Sequence, residues 1–577
     1  MSGFALFLKA LGTRIARPGR RLQNRVRASR SRLGTKPKVV ETLPEPLLFG
    51  ESDAGMAMVE GRWNAFGHEI EIGSGTIWEP RLPDERLEPE RQSCIWLDDL
   101  AALGNKAARS RAQAWVQDWI RRYGSGSGPG WTPDLAGRRA KRWTAHCILL
   151  TKNLDQADAD RFWKALASQQ KYLMRSWKRA KPGLPRLQAL TGLVWTGVVL
   201  PHAGHAKAVE ELGRLADQTI NSKGEVASRS PQDLADTMVM LIWAARILEN
   251  SGQHAVPEHL SAIVRGVPVL RPLRMGGGNL AMFHGGGAGE PDRLDQALAE
   301  LRVGVQAKPD LAMGFSRLSG GRIAVVMDAA KPPVEGPHSL RAHASTLAFE
   351  MSVHRLPLVV SGGPGHVFGA DWNVKSRLTG SHSTVELAGA SSSTVKYKGL
   401  AARTFGPRLV DPPGRVVIRQ AQDATGQWLL ATQNGYEPQF GVVHERRLFV
   451  DARGGEVRGE DLLSVPEKHG QAKFNRATKK RPLRFALRFH IHPDVQVVHE
   501  LNRNVVLMRL PTDEIWVFRA SDEQISVEES NFYDPRQARP VPSMQVVVHG
   551  EMVEYLGQII WSIGRYSESQ GLSEEAF

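Results

Sequence analysis

Histidine and arginine recur in this sequence where they could move a proton or hold an anion. Arg341-Ala-His343-Ala-Ser345 opens a stretch that ends at Phe349-Glu350, and Arg377-Leu-Thr-Gly-Ser-His382-Ser383-Thr-Val385 follows it. A histidine titrates near neutral pH and can serve as acid or base. For His343 and His382 the competing role is a buried imidazole bonded to backbone. Arginine's planar fork pairs with a carboxylate or sulfate through two parallel hydrogen bonds. Arg341 and Arg186 could hold an anion jointly, or each could be an ordinary surface charge. Arg229, in Ser228-Arg229-Ser230-Pro231, reads as structural or substrate-facing. In Phe489-His490-Ile491-His492-Pro493 two histidines stand at i and i+2, on one face of a strand. That is a metal-pair spacing, or one strand face turned to solvent with Pro493 ending it. His202 and His205 flank a turn after Pro201 and read as incidental.

The elements that must position these residues change character near residue 310. Before it, helical periodicity dominates: over 107–122, Ala112, Trp115, Val116, Trp119 and Ile120 fall close to one face. Similar segments follow at 138–152, 158–179, 186–200, 205–219, 231–250 and 255–265, joined by Gly- and Pro-bearing connections. Such a run of helical hairpins forms a bundle, solenoid or toroid. Its tryptophans, at helical spacing, read mostly as core. The Gly-rich stretch 275–288 has neither the preceding strand nor the following Lys-Ser/Thr helix of a phosphate loop. It is expected to be a flexible loop on the active face or an interdomain connection. After 310, short alternating runs such as 321–328, 356–360, 446–451, 485–492 and 544–548 predict a large antiparallel sandwich.

Charge and cysteine content narrow the function classes. The net charge is +15, and eleven basic side chains without one acid lie in residues 1–40. The basic character is therefore concentrated in the tail, and no zinc-finger spacing or aromatic–basic signature accompanies it, so no nucleic-acid partner is expected. The tail's Phe4-Ala-Leu-Phe-Leu8 precedes the charges. A secretory signal has the reverse order and a longer apolar stretch. The tail is a disordered basic arm or a peripheral anchor on anionic lipid. No eighteen-residue apolar run predicts a membrane span. The chain is thus expected to be cytoplasmic or associated with the inner membrane. Two cysteines, Cys94 and Cys147, make no disulfide framework and read as buried thiols.

The segment 314–387 resembles the heparinase II/III family of polysaccharide lyases. The resemblance is carried by Gly314-Phe-Ser-Arg-Leu318, Arg341-Ala-His-Ala-Ser-Thr-Leu-Ala-Phe-Glu350, Leu356-Pro-Leu-Val-Val-Ser-Gly-Gly363 and Arg377-Leu-Thr-Gly-Ser-His-Ser-Thr-Val385. It implies a multidomain α+β chain: an incomplete (α/α) toroid over 60–310, a β-sandwich over 311–567, and the basic tail at 1–40. It also implies β-elimination on a uronic-acid-containing acidic polysaccharide in the cleft between the domains, and a periplasmic or envelope setting. A base, an acid and a group neutralising the uronate are then required.

This sequence departs from the pattern at several of those places. Arg341 stands where the family's first His would be, Pro185-Arg186 where Asn-His would be, and Gln232-Asp233 where a Tyr follows Ser-Pro. The resemblance therefore casts His343 as the proton-transfer residue, Arg341 and Arg186 as neutralising the uronate, and Arg229 and His382 as substrate-binding. The family's zinc positions fall on His343, Ser361 and His382, where a hydroxyl replaces a carboxylate. Zinc would be weakened there, since such sites want three or four good ligands. Two functions remain open: a carbon–oxygen lyase with an altered site, or a catalytically inactive glycan-binding or envelope scaffold of the same fold. An exposed His343 beside another titratable group would favour the first, a buried one the second.

Overall fold

A computed structural model describes residues 19, 21–34, 37–41, 43, 50–301, 311–479, 481–521 and 524–566. Residues 1–18, which hold the tail's leading apolar stretch, lie outside the described residues. Residues 21–31 are helical, with Ala28 buried and Ser29 Oγ donating to the Ser125 carbonyl at 3.0 Å. No helix among the described residues is long and apolar enough to cross a membrane.

The first half is an array of paired helices, and local chemistry starts them where the sequence does. Asn105 caps Lys106–Tyr123 by accepting from the Ala108 N–H, and Asp155 caps Gln156–Ser176 through Asp158. Ser230 caps Pro231–Asn250, whose first-turn proline is compatible with a helix start. The apolar stripe on Lys106–Tyr123 is buried as expected, and Trp96, Trp115, Trp119 and Trp143 meet edge to face. Pro133–Ala145 and Leu184–Val199 approach so closely that a Cβ on Gly192 would lie 2.5 Å from the Gly137 Cα. Only glycine permits that contact.

Among the described residues the second half packs two eight-stranded antiparallel sheets face to face, with a two-stranded pair Thr394–Lys396 and Arg408–Val410 beside them. One runs in the order Val416–Gln422, Gly426–Gln433, Val443–Asp451, Glu456–Ser464, Leu556–Arg565, Ile515–Ala520, Val505–Arg509, Gln496–Glu500. The other runs Gln524–Phe532, Val541–Met552, Leu483–Ile491, Leu356–Val360, Phe349–Val353, Ile323–Asp328, Phe315–Gly320, with Val385–Leu387 also paired to Leu483–Ile491. Glu456–Ser464 and Gly426–Gln433 are strands the sequence pattern does not name. The outward positions of Glu456–Ser464 are mostly charged or polar, as in Glu456-Val-Arg458-Gly-Glu460, which dilutes the apolar run.

Ile323–Asp328 is buried along its whole length. Val325 and Met327 enter the sandwich core, while Val326 joins the core of the helical half. This sheet therefore serves as the floor on which the helices sit. The Gly-rich stretch 275–288 is not a flexible loop on the active face. Residues 280–287 are all buried, and the segment runs as a strap between helices and sheet.

Candidate functional site

One buried carboxylate stands where the two halves meet. Asp328 ends its strand fully buried at the interface. Arg229, just before the helix Pro231–Asn250, reaches it at 2.6 Å, Ser345 Oγ donates to it at 2.7 Å, and His284 Nε2 of the strap lies 3.3 Å away. Burial alone would raise the Asp328 pKa, but the Arg229 charge and the His284 contact hold it well below the usual carboxylate range. Arg229 adopts a left-handed φ of 51° and also donates to the carbonyls of Met313, Gly314 and Lys331, with its guanidinium over the Phe315 ring. Its donors thus fasten the helical half to the first strand of the sandwich.

His343 lies behind this junction and is only 1 % exposed. Its backbone N–H donates to His284 Nδ1 at 3.3 Å, and its own Nδ1 lies 3.2 Å from His382 Nε2. Burial, reinforced by His382 and Arg377, pushes the His343 pKa well down, and burial with His490 pushes His382 down to about 3. The result is a pair of neutral imidazoles sharing one proton between facing nitrogens.

At the family's zinc positions, His343 Nδ1 faces His382 Nε2 at 3.2 Å, and Ser361 presents its backbone N–H to Glu350 Oε1 at 3.2 Å. Among the described residues no group of three or more His, Cys, Asp or Glu is placed to hold a metal ion. The spacing of His490 and His492 leads to no shared site either. His490 is buried between Ser530 Oγ and the Gly380 carbonyl, not turned to solvent, and its strand ends at Ile491.

Arg341 is part-exposed at the seam. Its Nη1 donates to Asp233 Oδ1 at 3.1 Å and its Nη2 to the Gly285 carbonyl at 2.6 Å. Asp233 is thus the residue that meets Arg341, where the resemblance expects a tyrosine nearby. Arg186 donates to the Ala180 carbonyl at 3.1 Å. His284, Asp328 and Asp233 carry much of the geometry and were not singled out from sequence. Asp328 closes an apolar run, and His284 is one histidine among glycines. Only the contact across the fold gives either a meaning.

Paired helices leading into a two-sheet sandwich, with a histidine motif buried where they meet, define a protein of the polysaccharide-lyase fold. The model of the family "Heparinase II/III-like, C-terminal" matches residues 305–562, and the chain belongs to the heparinase II/III-like family. It is 30% identical over 523 residues to FtsZ-localized protein C of Caulobacter vibrioides (strain NA1000 / CB15N), covering 88% of this chain and 87% of that one. Crystalline heparinase III superposes with a TM-score of 0.67 at 11% identity, over 93% of this chain and 88% of that chain. Heparan sulfate lyase HepC from Pedobacter heparinus gives a TM-score of 0.52 at 12% identity, over 95% and 88% respectively. These structural likenesses show a shared fold.

Proposed function

We propose that this chain is a non-lytic member of its family, a glycan-binding scaffold held at an anionic membrane surface, with the cleavage of an acidic glycan lost. The observation that carries this reading is the burial of His343, paired to His382 by its Nδ1. A base for β-elimination must reach the proton beside the uronate carboxylate. A neutral imidazole sealed under the seam does not. The carboxylate must also be neutralised, yet the Arg341 fork is already occupied by Asp233 and the Gly285 carbonyl.

The membrane part of the proposal rests on the helix 21–31. Leu22 is 63 % and Leu33 just beyond the helix 74 % exposed, among Arg21, Arg25, Arg30 and Arg32. Apolar side chains set among arginines suit the face of an anionic bilayer. The relative whose name records localisation with FtsZ is matched over most of its length, and we extend that localisation to this chain.

The test is growth of unsaturated-uronate absorbance when the protein meets a panel of acidic polysaccharides. No growth, together with retained binding of at least one panel member, is the expected result. Growth that His343→Ala abolishes would overturn the non-lytic reading. Sedimentation with vesicles checks the membrane part: anionic but not zwitterionic vesicles should carry the protein down, and Leu22→Asp should release it.

A further inference from the structure

A cavity of about 280 Å³ lies under the Gly-rich strap, away from Arg341. Its roof is Met275, Asn279 and Met282, its floor is the sheet at Glu350 and Val360, and its far wall is formed by His492 and Phe532. The roof is pinned. A Cβ on Gly276 would stand 1.6 Å from the His354 carbonyl oxygen, so the strap lies directly on the turn between two strands, and Ser352 Oγ accepts the Gly276 N–H at 3.0 Å. The space is therefore built into the fold.

Its lining has two characters. Met282, Val360 and Phe532 pack together as an apolar wall. Facing it are hydrogen-bonding groups fixed by other contacts. Glu350 is 3 % exposed, and its Oε1 accepts the Met282 and Ser361 N–H groups at 3.0 and 3.2 Å. The His492 ring stands edge-on to Phe532, 5.0 Å between centroids. Around the cavity stand three acidic side chains, Glu350, Asp494 and Asp534, and two arginines, Arg355 and Arg536, with Asp534 paired to Arg536 at 3.0 Å. Burial raises the Glu350 pKa to about 7, so it does not stand as a full negative charge at neutral pH.

We infer that this cavity binds one neutral sugar ring. An apolar wall matches the C–H face of a pyranose, and fixed acceptors opposite match its hydroxyls. The volume sits at the small end of ligand pockets, which suits a single ring rather than a chain. With three acidic side chains against two arginines in its lining, the site has no net positive charge to offset the desolvation of a uronate. The site is independent of the seam at Arg341 and goes beyond the reading given above.

The experiment is ligand-observed NMR on the full chain with glucose, galactose, N-acetylglucosamine and glucuronate. At least one neutral sugar should bind and glucuronate should not. Asn279→Trp, which fills the cavity from its rim, should weaken binding at least tenfold. Glu350→Gln should do the same. Its amide oxygen can still accept the Met282 and Ser361 N–H groups, so an unchanged melting temperature separates lost binding from lost fold. Failure of every neutral sugar to bind, equal binding of glucuronate, or binding undiminished in a folded Asn279→Trp protein would overturn the inference. The lyase and vesicle assays do not depend on any of these results.

Discussion

The interface carboxylate Asp328 and the sandwich carboxylate Asp461 are built from the same parts. Each is fully buried beside one arginine and one histidine. Asp461 takes both arms of Arg446, at 2.8 and 3.1 Å, with His444 at 2.7 Å and the Trp561 indole N–H at 2.9 Å. All of its partners belong to one sheet, on neighbouring antiparallel strands. Arg446 then reaches across to the carbonyls of Leu347 and Ser383, beside the two histidine motifs. The partners of Asp328 come instead from a helix start, the strap and a motif turn, and its arginine keeps some exposure to water. Residue types alone do not separate a structural ion cluster from a site. What separates them is whether the partners belong to one element or several, and whether solvent reaches them.

That difference should show in stability. Asp461→Ala leaves the Arg446 charge buried without its partner, and should cost about 3–5 kcal/mol in denaturant unfolding. Arg229→Met should cost less, about 2–3 kcal/mol, because His284 and Ser345 remain on the Asp328 carboxylate. A larger loss for Arg229→Met than for Asp461→Ala would reverse the comparison and make the interface cluster the stronger one.

Acid should act on the seam next. The folded pKa of His382 is depressed to about 3, below its unfolded value of about 6.5. Its unfolded form therefore gains the proton first as pH falls. The stability it contributes is complete above about pH 6.5 and is lost from there down toward pH 3, with a limiting slope of about 1.4 kcal/mol per pH unit. His382→Asn should flatten the measured profile in that window, and an unchanged slope would remove His382 from the acid response. The smallest effect belongs to Arg341→Ala. Its pairing with Asp233 is part-exposed, and its removal should change stability by less than about 1 kcal/mol. A loss as large as that of Arg229→Met would place Arg341 among the fasteners of the interface.

Much of the fold is legible because burial follows period. The helix Lys106–Tyr123 is marked by its tryptophans and apolar face, and Leu483–Ile491 by its alternating apolar residues. Strands with charged outward positions, such as Glu456–Ser464, escape this pattern. At the site, the motif spacing identifies His343 and His382 as candidates. It does not give their burial, which comes from the strap closing over them and from His284 meeting the His343 backbone.

The sequence by itself determined the order of a helical half and a sandwich half, the family to which they belong, and the places where the catalytic pattern is replaced. Those follow from local periodicity and from residue identity at fixed spacing. Tertiary structure alone decided that Arg341 faces Asp233, that His343 pairs with His382 out of reach of water, and that a cavity remains under residues 275–288. Each of these depends on groups far apart in the chain. Their contact is set by how two cores pack together, which no local pattern encodes.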